Sequence, residues 1–232
     1  MSTLILRLAA PMQAWGSDAK YNYRTTGREP TKSGVLGMLA AALGCPRDDR
    51  EEIARFSELR FGVRADREGK VIRDYQTACA RKKGGLMTYG ELQEDRTGRG
   101  EVTLTYRDYL CDAVFVVGLE GPGKYLETLQ EALRHPVYPL FLGRRSCPPV
   151  GPVCLGIREE GLEETLRSLP LQIRPWQKPA GAVRLILEGG PGSIQDVPIS
   201  YSPLKREFGF RGIREEILAI SSEEGHDPMA EL

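Results

Sequence analysis

Two arginines on a glycine turn are the strongest candidates for ligand binding in this sequence. The run Gly143-Arg144-Arg145-Ser146 lies between prolines, and the segment 135–158 contains three arginines and no acidic residue. A guanidinium fork matches the oxygens of a phosphate, and glycine allows a ligand to approach the backbone closely. A surface turn held by salt bridges is the alternative, but it would need a distant acidic partner. We therefore interpret the turn as a phosphate-binding element.

A second candidate is Thr31-Lys32-Ser33, at the start of a predicted helix. The preceding residues superficially resemble a nucleotide-binding P-loop, but the spacing is one residue short and Pro30 removes a backbone donor. A nucleotide triphosphatase is therefore rejected. The helix N-terminus would still present free N–H groups, a hydroxyl and an ammonium to an anion. A plain N-cap beside a solvated lysine explains the same residues equally well.

Charge is unevenly distributed although 32 basic residues balance 32 acidic ones. Residues 1–47 contain six basic and two acidic side chains, whereas residues 206–232 contain three basic and seven acidic ones. The N-terminal arginines Arg24 and Arg28 share a loop with Trp15, Tyr21 and Tyr23. Loop arginines mixed with aromatic rings are typical of surfaces that bind single-stranded nucleic acid. Trp15 could stack on a base there, or it could cap the hydrophobic core.

Candidates for catalysis are weaker. His135 could be the general base of a metal-independent ribonuclease, assisted by Lys124 or Tyr138. Its position at the end of a predicted helix favours a pairing with terminal carbonyls instead. The only other histidine, His226, lies in a polar tail, and five cysteines form no CxxC pair. We therefore expect no metal site, and the odd cysteine count suits a reducing, cytoplasmic setting.

The pattern of apolar residues predicts an α+β fold. A strand at 3–9, a helix from the Thr31 N-cap to Gly44, strands at 60–65 and 113–117 and a helix at 124–134 follow the order of the first five elements of a ferredoxin-like βαββαβ unit. A basic hairpin is inserted at about 75–109. We place this unit at 1–158 and a smaller, β-rich part with a polar tail at 159–232. The longest apolar run is too short to cross a membrane, and no secretory leader is expected.

Four segments also match a known family in the right order: LRLAAPMQAWG (6–16), PTKSGVLG (30–37), RDYLCDA (107–113) and LGRRSCP (142–148). They resemble the CasD family, subunits of the type I-E CRISPR surveillance complex Cascade within the RAMP superfamily. The resemblance covers roughly residues 4–150. One departure is Ala10, where the family usually has glycine.

The resemblance implies a ferredoxin-like (RRM-like) core with a β-hairpin thumb and a glycine loop. It also implies binding of the 5′ handle of the CRISPR RNA, next to a backbone subunit and the large subunit. No cofactor is implied. Combined with the basic loops, it gives these expected RNA-binding residues: Trp15, Arg24, Arg28, Thr31, Lys32, Ser33, Arg81, Lys82, Lys83, Arg107, Gly143, Arg144, Arg145 and Ser146.

Type I-C relatives cut repeat RNA with a tyrosine, a lysine and a histidine. No Lys-His pair precedes the apolar strand at 113–117 here, which favours a non-catalytic protein. A metal-independent endoribonuclease that processes CRISPR repeat RNA remains the alternative. A protein-interaction scaffold whose basic loops meet acidic partners is a third interpretation.

Overall fold

The computed structural model describes residues 1–16, 22–79, 82–83, 86–87, 102–174, 177 and 180–220. They form a mixed α/β fold built mainly on antiparallel sheets, which confirms the predicted class at that level. The helices are α1 (Lys32–Leu43), α2 (Arg50–Glu58), α3 (Gly123–Arg134) and α4 (Leu162–Ser168). The strands are β1 (Ser2–Ala9), β2 (Met12–Gln13), β3 (Tyr23–Arg24), β4 (Arg60–Arg67), β5 (Lys70–Cys79), β6 (Lys82–Lys83), β7 (Leu86–Met87), β8 (Val102–Cys111), β9 (Val114–Gly121), β10 (Cys154–Arg158), β11 (Ala182–Ser200) and β12 (Glu207–Ala219).

The main sheet has six strands in the order β10-β1-β9-β4-β11-β12, and each neighbouring pair is antiparallel. In β9, residues 114–120 are all buried, so this central strand is covered on both faces. Successive side chains of β1 serve two cores, because neighbours on a strand point to opposite faces. Leu4 packs in the larger cluster with α1 and α3, and Ile5 packs in the smaller one with α4.

Helix α1 begins and ends as its sequence predicts. The Thr31 hydroxyl accepts a hydrogen bond from the Gly34 N–H at 3.2 Å, which satisfies one of the free donors of the first turn. Gly44 ends the helix with φ +73°, a left-handed conformation that glycine adopts without strain.

The inserted hairpin consists of β5 and β8, paired from Lys70↔Cys111 to Cys79↔Val102. The hairpin therefore starts before residue 75 and ends after residue 109, so it extends beyond the bounds of about 75–109 that the sequence predicts. On its other edge β8 pairs with β2 and β3, so four strands form a second sheet beside the main one.

The C-terminal strands extend the main sheet, since β11 pairs with β4 from Arg184↔Ala65 to Leu187↔Gly62. Strands from both sides of residue 158 thus share one sheet, and the predicted division there does not coincide with a sheet boundary. The division into two folding units stays a prediction. The polar tail lies outside the described residues.

Candidate nucleic-acid interface

Strand β3 and the inserted hairpin together form what we call the hairpin base: β3, residues 71–77 of β5 and residues 104–110 of β8. Tyr23 pairs with Tyr106 and Arg24 with Arg107 in parallel register. Tyr75 lies opposite Tyr106 on the other side of β8. Because paired residues share a face and neighbours alternate, the tyrosines lie on one face, the tyrosine face, and the arginines lie on the other, the arginine face.

The glycine turn reaches the arginine face through Arg144. Its Nη1 donates to the Asp108 carbonyl oxygen at 3.0 Å, and its Nη2 donates to the Arg24 carbonyl oxygen at 2.7 Å. The guanidinium also lies over the Tyr109 ring, 4.6 Å from its centroid. Arg144 therefore joins the turn, β3 and β8, with most of its donor capacity directed to the protein itself.

Gly143 is required by the close approach of two backbones. Its φ is +85°, and a Cβ atom there would lie 1.6 Å from the Ala14 carbonyl oxygen. The Ala14 N–H also donates to the Leu142 carbonyl oxygen at 3.1 Å. The turn is thus fixed against the segment that follows β1, and only glycine fits at position 143.

Several cations of this surface are available to a ligand. Arg24 and Arg145 are exposed, and neither side chain has a hydrogen-bond or ion-pair partner within the described residues. Arg107 is only partly exposed: its Nε is shielded from solvent and has no hydrogen-bond partner in the described part of the chain, and Asp74 of β5 lies opposite it. Arg28 is exposed and lies 4.0 Å from Glu68, a weak surface contact. Ser146 is exposed on the same turn as Arg145.

An ion pair borders the tyrosine face. The Arg73 Nε donates to Asp108 Oδ1 at 2.8 Å and its Nη2 donates to Oδ2 at 3.1 Å. These hydrogen bonds hold the pKa of the Asp108 carboxyl below its ordinary value and raise the pKa of Arg73. A guanidinium is therefore held in a fixed position beside the rings.

The predicted anion site at the start of α1 is wrong, because the protein's own Asp196 fills it. The Asp196 carboxylate accepts from the Lys32 N–H at 2.7 Å and is itself bound by Arg211. The Lys32 side chain is buried, and its Nζ donates to Glu188 at 3.0 Å and to the Ser57 carbonyl oxygen at 2.9 Å. Lys32 is thus unavailable to a phosphate.

Two neighbours of Lys32 serve the fold in the same way. Thr31 is the helix cap described above, and the Ser33 hydroxyl donates to the Thr31 hydroxyl oxygen at 3.5 Å. The three residues predicted to bind an anion therefore bind other parts of the chain.

Trp15 belongs to the core. It is 2% exposed, and its Nε1 donates to Gln13 Oε1 at 3.1 Å. A ring covered in this way offers no face to a nucleotide, so the stacking role expected for Trp15 is wrong and the core-capping interpretation holds. Among the thumb cations, Arg81 lies outside the described residues. Lys82 and Lys83 are described only as strand β6, paired with β7.

Sequence reasoning missed Tyr75 and Tyr106. Both stand in alternating strand segments next to charged residues, and that alternation was the available signal. What brings them to Tyr23 is the register between three strands separated by long stretches of chain, and the sequence does not specify that register.

His135, the candidate general base, is exposed at the end of α3. Its backbone N–H donates to the Glu131 carbonyl oxygen at 3.0 Å, and its Nε2 lies 3.5 Å from Glu131 Oε1. Across the described ranges, no group of three His, Cys, Asp or Glu side chains is arranged to hold a metal ion. No helix in that part of the chain is both long and apolar enough to span a bilayer.

Comparison with known proteins identifies the family. A sequence model of the family described as CRISPR-associated protein (Cas_Cas5) matches residues 3–214. The chain belongs to this Cas5 family. The Cascade subunit CasD of Escherichia coli (strain K12) is 41% identical over 169 residues, covering 67% of this chain and 70% of that protein. The resemblance to the CasD family seen in the sequence is thereby confirmed.

Solved structures agree with the Cas5 assignment. A chain from a structure described as a CRISPR RNA-guided surveillance complex superimposes with a TM-score of 0.74 at 33% identity, covering 94% of this chain and 90% of that one. A second, described as a crystal structure of a Cas protein, has a TM-score of 0.70 at 36% identity and covers 94% and 95%. Nearly the whole chain thus shares its fold with solved CRISPR-associated proteins.

Proposed function

We propose that this Cas5-family protein is a non-catalytic, cytoplasmic subunit of a type I-E Cascade complex that binds the 5′ handle of the CRISPR RNA. Its relatives include a protein named Cascade subunit CasD and a chain of an RNA-guided surveillance complex, which supports membership of such an assembly. The partners would be the adjacent backbone subunit and the large subunit.

The observation that carries the proposal is the pairing of Arg24 with Arg107 on neighbouring strands. Like charges side by side on a sheet repel each other. Asp74 of β5 lies opposite Arg107 and offsets part of this charge, whereas Arg24 is exposed and has no acidic partner within the described residues, so a phosphate at Arg24 would stabilise the pair. Arg145, on the turn that Arg144 fastens to the same strands, adds a further exposed cation. In this proposal, cations from three distant segments bind the phosphates of a single strand at one surface.

The order of the main sheet supports a ferredoxin-like interpretation of the N-terminal part. Strands β1, β4, β9 and β10 lie in the order β10-β1-β9-β4, with α1 and α2 between the first two in sequence and α3 between the last two. We infer that this is the βαββαβ unit of RRM-like proteins, with the β5–β8 hairpin inserted between its second and third strands.

A salt titration tests RNA binding. The protein should bind labelled, single-stranded handle RNA, and each phosphate that it neutralises should contribute about 0.7 to the log–log slope of affinity against salt concentration. The Arg24→Ala/Arg107→Ala double variant should bind more weakly with a slope shallower by about 1.4. Arg206→Ala, which removes an exposed arginine between β11 and β12, is the matched control and should behave as wild type. Absence of binding at low salt would refute the proposal and favour a protein-interaction scaffold.

The absence of cleavage activity is a separate part of the proposal. Lys124 and His135 lie at opposite ends of α3, about 16 Å apart at 1.5 Å per residue, so they do not form a compact acid–base site. Incubation of the protein with labelled repeat RNA in EDTA should leave the RNA intact. Cleavage that disappears in His135→Ala would establish the endoribonuclease alternative.

A further inference from the structure

The tyrosine face has an unusual combination of order and exposure. The Tyr23 and Tyr106 rings are stacked with centroids 5.0 Å apart and planes 10° apart, and Tyr75 meets Tyr106 edge-on at 5.6 Å. Tyr23 is nevertheless 59% exposed and Tyr75 is 55% exposed. Because Tyr106 covers one face of Tyr23, the exposed area of that ring includes its opposite face.

The charges around the rings favour a nucleotide as the ligand. Arg73 lies on the same face as Tyr75, two residues away on β5, and Asp108 fixes its guanidinium from β8. Flat rings accept a base. Arg73 is exposed and donates to Asp108 through Nε and Nη2, and its Nη1 has no partner within the described residues, so that nitrogen remains for a phosphate. Val71 and Leu104 are also exposed on the hairpin base, so a protein surface is the competing ligand.

The short strand β3 connects the two faces of the hairpin base. Tyr23 and Arg24 are consecutive, so their side chains point to opposite faces. An RNA strand that crosses β3 would place a base on Tyr23 and a neighbouring phosphate against Arg24. The two residues are therefore placed so that one RNA strand would reach both.

We propose that the tyrosine face is a stacking site for an unpaired nucleobase, with Tyr23 as the stacking ring, Tyr75 at its side and Arg73 at the adjoining phosphate. This inference rests on the proposed function, since it assumes that RNA binds the chain. It adds a sequence-tolerant, uncharged contribution to a surface that is otherwise electrostatic.

The test combines affinity with a spectroscopic signal from the base. Handle RNAs carrying 2-aminopurine at each position in turn are titrated into wild type, Tyr23→Ala, Tyr23→Phe and Tyr138→Ala. Tyr138 is 57% exposed in the loop after α3 and is the matched control. Tyr23→Ala should bind about 5- to 140-fold more weakly, the range expected when one base no longer stacks on a ring, with an unchanged salt slope. The fluorescence change at one position should disappear, and Tyr23→Phe and Tyr138→Ala should retain both properties.

Other results separate this inference from the proposed function. If wild type binds no RNA, the proposed function fails and the stacking site fails with it. If Arg24→Ala/Arg107→Ala lowers affinity but Tyr23→Ala changes neither affinity nor fluorescence, only the stacking site is refuted. If Tyr23→Ala binds RNA normally but no longer co-purifies with the other Cascade subunits, the tyrosine face is a protein interface and the inference is wrong.

Discussion

At the glycine turn, two neighbouring arginines have different surroundings. Arg144 donates to the carbonyl oxygens of Arg24 and Asp108, whereas Arg145 is exposed and makes no such contact within the described residues. A residue whose donors are already used contributes to RNA binding mainly by positioning β3. A residue with free donors can contact a phosphate directly.

Alanine substitution should separate these two roles. Arg144→Ala should destabilise the protein by about 1.5–3 kcal/mol, because it removes charge-assisted hydrogen bonds to two carbonyl oxygens. Arg145→Ala should change stability by less than about 0.5 kcal/mol but make the salt slope of RNA binding shallower by about 0.7. Urea unfolding and the RNA titration measure the two effects. The assignment would be wrong if Arg145→Ala lowered stability more than Arg144→Ala.

The sequence predicted the chemistry of this turn but not the division of roles within it. The acceptors of Arg144 come from segments 36 and 120 residues away along the chain. Lys32 shows the same limitation: its partner Glu188 is 156 residues distant, so a lysine that looked solvated is buried in an ion pair. Residue type indicates which ligands a side chain can bind, and its tertiary partners decide whether that side chain is still available to a ligand.

Among the elements, the hairpin base depends on a cross-strand ion pair. Arg73 on β5 and Asp108 on β8 face each other, and this contact lowers the pKa of Asp108 in the folded protein. In the unfolded chain the carboxyl regains its ordinary pKa of about 3.9. The stabilisation is therefore complete above that pH and is lost as the pH falls through the lower, folded pKa.

Asp108→Asn should remove this pH dependence. The variant should be less stable than wild type at pH 7, and the difference should shrink as the pH falls below about 4, since wild type alone loses the ion pair. Urea midpoints of both proteins from about pH 3 to pH 7 provide the measurement. Parallel curves over the whole range would show that the pair does not stabilise the hairpin base.

Elements with a uniform environment were predicted best. Helix α1 has a capping threonine, an apolar body and a terminal glycine, and β9 is apolar throughout, so local signals agree with the structure. Strands β5 and β8 extend beyond the predicted hairpin bounds of about 75–109, and both mix charged residues with apolar ones, as in Arg73 and Asp74 of β5 and Arg107 and Asp108 of β8. Such segments have a weak apolar pattern, and their pairing partners define their length.

In the whole molecule, the C-terminal hairpin of β11 and β12 is fastened to α1 by a buried charge cluster. Asp196 on β11 is 2% exposed and binds both Arg211 of β12, at 2.6 Å, and the N-terminus of α1. The helix dipole favours a carboxylate at this position. The contact links the last strands of the main sheet to the helix that follows β3.

Asp196→Asn should therefore be strongly destabilising. Removal of the carboxylate leaves the Arg211 guanidinium buried without a counter-charge, which costs about 3–5 kcal/mol. Lys205→Ala removes an exposed partner of Glu207 on the same hairpin and should cost less than about 1 kcal/mol. Urea unfolding of both variants measures the difference. Equal stability of the two would contradict the role given to Asp196.

The order of strands in the main sheet could not be predicted from local sequence patterns. Those patterns indicated a domain boundary near residue 158. Strand β11, which follows that boundary, pairs with β4, which precedes it by more than 100 residues. The basic loops were recognisable as a set, and their convergence depends on pairing between strands that are distant in sequence.

Photo-cross-linking tests most directly whether these loops form one RNA-binding surface. Handle RNA with 4-thiouridine at successive positions is irradiated with the full-length protein, and cross-linked peptides are identified by mass spectrometry. If the loops converge on RNA, cross-links will appear in residues 22–28, 104–109 and 143–146 together. Cross-links confined to α3 or to the β11–β12 hairpin would contradict a single surface of this kind.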